Sequence, residues 1–91
     1  MTEHALDAVF KLSPTYRLQW EPAQDCDVLL YPEGMVTLNT SASEILKQLD
    51  GARDLQTVIS TLEKKFDTTG LKEDVLEFVA SARERGWIVP A

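Results

Sequence analysis

The period of apolar and polar residues changes once along this chain, close to residue 40. Before that point it is near two, the signature of strands. Tyr16-Arg17-Leu18-Gln19-Trp20 alternates β-favouring with polar residues and predicts a first strand. After the polar connection from Glu21 to Asp25, Cys26-Asp27-Val28-Leu29-Leu30-Tyr31 is more continuously apolar and predicts a second strand covered on both faces. Pro32 sets φ near −65° for a tight turn, and Gly34 relieves the steric demand at its exit. Met35-Val36-Thr37-Leu38-Asn39 then predicts a third strand antiparallel to the second, with Val36 and Leu38 on one face and Met35, Thr37 and Asn39 on the other.

Beyond residue 40 the apolar residues keep helical spacing. Ser41-Ala42-Ser43-Glu44 matches a capping box, followed by Ile45, Leu46 and Leu49, with Asp50-Gly51 as a left-handed stop. Asp54 caps a second helix on which Leu55, Val58, Ile59, Leu62 and Phe66 form one stripe. Asp67 to Gly70 is a loop. A third helix is predicted over roughly Lys72 to Arg85, with Val75, Phe78, Val79 and Ala82 in line and Gly86 as its stop. Trp87-Ile88-Val89 reads as an apolar tail packed beneath the helices, and Pro90 prevents its extension.

Residues 1–15 are weakly patterned. Ala5, Leu6, Ala8, Val9, Phe10 and Leu12 suggest a loose amphipathic segment that Ser13-Pro14 ends. The expected organisation is an N-terminal arm over residues 1–15, either flexible or docked, and one domain over residues 16–91. The fold class is α+β, a small three-stranded antiparallel sheet followed by three helices. A hairpin joined to a helical trio is also the content of a winged helix-turn-helix.

Composition narrows the function. At 91 residues there is chain for one core. The net charge of −6 and the pI near 4.6 oppose binding to phosphate backbones and to anionic membranes, both of which need a positive surface. A single cysteine, Cys26, forms no intrachain disulfide and fits a reducing cytoplasm as a small apolar strand residue. No apolar run approaches the ~18 residues that span a membrane. Met1-Thr2-Glu3-His4 lacks the basic and apolar regions of a signal peptide, so a cytoplasmic location is expected.

Catalytic constellations are nearly absent. His4, the only histidine, lies in the arm with no fixed partner, and one His with one Cys supplies no three-ligand metal site. Glu73, Asp74 and Glu77 sit where a helix N-terminus favours negative charge; Lys64-Lys65 and Arg83-Glu84-Arg85 complement helix C-termini. The four glycines stand singly, so no phosphate-binding loop exists. No cofactor or metal is expected, and the chain does not read as an enzyme. What remains is the third strand, a short edge with backbone groups free to pair with another peptide. On the third helix core packing is expected of Phe78 and Val79; Leu71, Val75, Leu76 and Val79 also suit the wall of a groove beside the strand, which Arg83 would flank.

The run Leu29-Leu30-Tyr31-Pro32-Glu33-Gly34-Met35-Val36-Thr37-Leu38-Asn39, with Ser41-Ala42, Ile45-Leu46 and Asp50-Gly51 after it, resembles the PqqD family. Arg17-Leu18-Gln19-Trp20 before it and Arg83-Glu84-Arg85-Gly86-Trp87-Ile88 at the end extend the likeness over residues 16 to 89. The resemblance implies a winged-helix-like precursor-peptide recognition element in the biosynthesis of pyrroloquinoline quinone. It implies a peptide chaperone that binds the precursor peptide PqqA by β-strand addition. The peptide is then presented to PqqE, a radical S-adenosylmethionine enzyme that crosslinks a Glu and a Tyr within it. Carried onto this chain, the resemblance places Gly34, Met35, Val36, Thr37, Leu38 and Asn39 along the peptide. Leu71, Val75, Leu76, Val79 and Arg83 would form the facing helix wall.

Two further readings stand beside this one. A winged-helix DNA-binding regulator would need a basic wing and recognition helix, where this chain has Glu33 in the turn and Lys64-Lys65 only at a helix end. An exposed strand edge and an apolar arm containing Val9 and Phe10 also offer a route to a homodimer.

Overall fold

The computed structural model describes residues 6–91. Its elements run β1 (Val9–Leu12), β2 (Arg17–Glu21), β3 (Cys26–Tyr31), β4 (Gly34–Thr37), α1 (Thr40–Gln48), β5 (Asp50–Asp54), α2 (Leu55–Lys65), α3 (Lys72–Glu84) and β6 (Ile88–Pro90). The α+β class, the antiparallel pairing and the three helices agree with the sequence. The single expected sheet does not complete the picture, because there are two three-stranded sheets, ordered β2-β3-β4 and β5-β1-β6.

The β2-β3-β4 sheet is the expected meander. Tyr31 pairs with Gly34 around the two-residue loop Pro32-Glu33, and the register continues through Leu30↔Met35, Leu29↔Val36 and Val28↔Thr37. With β2 in register as Leu18↔Leu29, residues Leu18, Leu29 and Val36 share the face turned to the core. Leu29 is fully buried there. The rings of Tyr16 and Tyr31 close the hairpin end of that face at 5.5 Å.

The second sheet takes in part of the expected arm. Val9–Leu12 is its central strand, paired with β5 on one side and β6 on the other. Phe10 is buried in the core, so it offers no surface to a second copy. Residues 1–5, including His4, lie outside the described residues. Trp87-Ile88-Val89 was expected as a tail; Ile88–Pro90 is instead strand β6, with Ile88 buried and Trp87 Nα–H donating to Ala82 O. Asp50-Gly51 does end α1, with Gly51 at φ +82°, but the chain continues directly as β5.

The helices hold the other wall. Leu46, Leu49, Leu55, Val58, Leu62, Val75, Val79 and Ala82 form one cluster with Phe10, Leu29 and Ile88. Asp54 caps α2 as expected, its carboxylate accepting from Thr57 N–H at 2.8 Å. The cap of α1 differs from the expected box. Asn39, not Ser41, is the N-cap, and its Oδ1 accepts from Ala42 N–H at 2.8 Å. Once Asn39 adopts the extended cap conformation the helix begins at Thr40, which leaves Ser41 inside the first turn. Glu44 points elsewhere, to Lys65 on α2 and to Lys47.

Candidate functional site

Four strands lie at sheet edges: β5 and β6 in one sheet, β2 and β4 in the other. An open edge invites unwanted pairing, and charged residues or proline commonly discourage it. β5 carries Asp50, Arg53 and Asp54; β2 carries Arg17 and Glu21; β6 ends in Pro90, which has no N–H. Among the described edges only β4, Gly34-Met35-Val36-Thr37, has neither.

The ladder tells which atoms that edge presents. Leu38 N–H donates to Asp27 O at 3.0 Å, which makes Asp27·Leu38 a hydrogen-bonded pair. Bonded and non-bonded pairs alternate in an antiparallel ladder. Leu29·Val36 and Tyr31·Gly34 are therefore bonded pairs, and Leu30·Met35 and Val28·Thr37 are not. The N–H and C=O of Met35 and Thr37 point away from β3, towards the open edge. Those of Gly34 and Val36 are spent inside the hairpin. Met35 is also one of the most exposed large apolar side chains, at 43%.

The end of β4 is fixed from β3. Asp27 accepts the Ser43 hydroxyl on its carboxylate, and Lys47 Nζ lies 3.2 Å from the same oxygen. The Ser43 hydrogen bond holds the Asp27 carboxyl below the ordinary carboxylate range, helped by Lys47 and opposed by partial burial. Through its carbonyl Asp27 holds Leu38, and through its carboxylate it holds α1. The strand edge and the first helix thus share one anchor.

The sequence-derived site residues separate into groups. Gly34, Met35, Val36 and Thr37 form the edge strand itself. Leu38 lies just past it and is buried, and Asn39 caps α1. On α3, Val75 and Val79 are buried in the core, while Leu71 and Leu76 are half-buried and keep some exposed surface. Arg83 lies further along the helix with its guanidinium carbon 5.3 Å from the centre of the Phe10 ring.

Sequence reasoning missed a hollow at the near end of α3. Ile45, Leu62, Phe66, Leu71 and Val75 line an apolar pocket of about 220 Å³, with Thr40, Ser41, Glu44, Thr68 and Asp74 around it. Phe66 belongs to the α2 stripe by spacing, which predicts a core residue. It is instead the helix C-cap and 46% exposed, because the helix ends there and the chain turns away. The abrupt Asp67-Thr68-Thr69-Gly70 loop was the signal that could have marked it. Among the described residues no three His, Cys, Asp or Glu side chains gather as metal ligands, and no helix is long and apolar enough to cross a membrane.

Known proteins resemble this chain in sequence and in fold. The family described as Coenzyme PQQ synthesis protein D (PqqD) matches residues 26–88. A relative from Azotobacter vinelandii, named PqqA binding protein, is 52% identical over 89 residues, covering 97% of both chains. Proteins of the same name from Pseudomonas aeruginosa (strain UCBPP-PA14) and Methylococcus capsulatus are 49% and 46% identical, covering 97% and 90% of this chain and 97% and 88% of their own lengths. A solution structure of the PqqD truncation of Methylobacterium extorquens PqqCD, described as a stand-alone RiPP recognition element, superposes with a TM-score of 0.78. It covers 93% of each chain at 23% identity, a likeness of fold. By the family match and these identities, the chain belongs to the PqqD family.

Proposed function

We propose that this chain is a noncatalytic carrier that captures the precursor peptide PqqA by strand addition on β4 and presents it to the radical S-adenosylmethionine enzyme PqqE. The observation that carries the reading is the undefended β4 edge, the one edge described that lacks both charge and proline. The relatives' name, PqqA binding protein, supports the choice of guest. Met35 and Thr37 supply the backbone groups that pair with it. Guest residues on the side of Val36 face the core side of the sheet; Leu71 and Leu76, half-buried against the same core, are the helix residues that would meet them. Each backbone bond adds only ~0.5–1.5 kcal/mol net, so side-chain burial must supply most of the affinity. Ordering a flexible peptide costs part of that gain.

The ladder selects the test. Proline at Val36 or Leu38 would strike bonds inside the hairpin, whereas proline at Met35 or Thr37 removes only an outward N–H. Met35→Pro and Thr37→Pro are expected to stay folded by circular dichroism and to bind synthetic PqqA at least tenfold more weakly in calorimetric titration. They should also fail to support crosslinking of the peptide by PqqE. Wild-type affinity in both folded variants would sink strand addition on β4.

A further inference from the structure

The apolar pocket between the helices is unexplained by strand pairing alone. Its walls come from α1 (Ile45), α2 (Leu62), the α2 C-cap (Phe66), the α3 N-cap (Leu71) and α3 (Val75). Leu55, Val58, Ile59 and Leu62 of α2 are 4% exposed or less, yet Phe66 at the same stripe's end is 46% exposed and faces this hollow. A cavity of ~150 Å³ lined by aliphatic and aromatic groups binds benzene. A space of about 220 Å³ therefore holds one branched aliphatic or aromatic side chain.

Its position relative to β4 matters more than its size. Thr40 and Ser41, on its wall, follow Thr37 by three and four residues. Three extended residues reach no further than ~10 Å. The pocket wall at Thr40 therefore lies within about 10 Å of the end of β4, inside the span of three further residues of a guest strand. We infer that this pocket receives a single apolar side chain of the guest peptide, about three residues beyond the one beside Thr37. The inference rests on the strand-addition reading and adds to it a specificity position. The backbone edge accepts any sequence, whereas the pocket admits only an apolar residue. Asp74 beside it disfavours a carboxylate next to that anchor, whereas Glu44 is already paired with Lys65.

Two variants alter the pocket without touching β4. Phe66→Ala removes an exposed wall, and Ser41→Trp places a bulky side chain at the mouth from an exposed position. Isotope-labelled protein is titrated with synthetic PqqA while the Met35 and Thr37 amides and the Ile45, Leu71 and Val75 methyls are followed by NMR. Edge amides and pocket methyls are expected to shift at the same peptide concentration. Each variant should raise Kd about tenfold (~1.4 kcal/mol), with the edge amides still shifting at saturation. One apolar residue of the peptide, cut to alanine, should weaken binding to the wild type and cost nothing further against Ser41→Trp. Edge amides that shift while the methyls stay still, with Kd unchanged in both variants, would overturn the pocket alone. Edge amides that never shift would overturn the strand-addition reading and the pocket with it.

Discussion

Removing the Ser43 hydroxyl tests the joint between the peptide edge and the first helix. Ser43 is 3% exposed, and its hydroxyl donates to an Asp27 carboxylate that is itself only 11% exposed. A hydrogen bond to a charged group contributes ~1.5–3 kcal/mol. Lys47, the other partner of Asp27, is 45% exposed, and an ion pair with so solvated a partner contributes ~0–1 kcal/mol. The hydroxyl should therefore dominate. Ser43→Ala is expected to lower stability by ~2 kcal/mol, a fall in Tm of ~8–16 °C for a domain of this size. Lys47→Ala should cost less than half as much.

The pH dependence gives a sharper signature. Asp27 has a folded pKa below its unfolded value of ~3.9, so its contribution is fully present above that value. It disappears as pH falls through the lower folded value. Urea unfolding at pH 7 and at pH 3 should show the difference between wild type and Ser43→Ala shrinking on acidification. Amide exchange at Leu38 should accelerate in the variant, because Asp27 also holds that N–H. A penalty equal at both pH values, or a Lys47→Ala penalty as large as that of Ser43→Ala, would refute the reasoning.

Other outcomes follow from the same structure. Asn39→Ala removes the α1 cap and should cost ~1 kcal/mol by chemical denaturation, whereas Ser41→Ala should cost little if the cap is where the structure places it. Leu62→Ala, at a side chain 2% exposed, should cost ~2–5 kcal/mol and narrow the usable temperature range in calorimetry. Gly86→Ala meets no neighbouring atom, so its cost is the backbone's alone; at φ +79° it should be ~1–2 kcal/mol in thermal unfolding.

The parts read correctly from sequence are those whose cause is local. Pro32 and Gly34 define the hairpin turn, Asp54 sets the start of α2, and Gly86 closes α3. The second sheet has no such local cause. β5 reads Asp-Gly-Ala-Arg-Asp, and its extended form comes from pairing with β1 rather than from preference. β1 and β6 hold four and three residues, too few for alternation to speak, and each becomes a strand because the other is there. At the start of α1 the capping-box pattern points to Ser41, and only the extended backbone at Asn39 puts the cap two residues earlier. Among site residues, the β4 edge was visible because its strand was. The burial of Val79 follows from the apolar stripe of α3, whereas the exposure of Phe66 depends on how three helices meet.

The small sheet around β1 has a practical consequence. Ala91 N–H donates to Val9 O at 2.9 Å, and Phe10 stands opposite Pro90, so the described chain enters and leaves at one spot. That spot belongs to a different sheet from the β4 edge. A partner held through Val9 and one held through Ala91 would therefore be anchored at a common point on the domain. Pulling the two ends apart would unzip β1 from β6 one bond at a time and expose Phe10, making this junction the mechanical weak point of the domain.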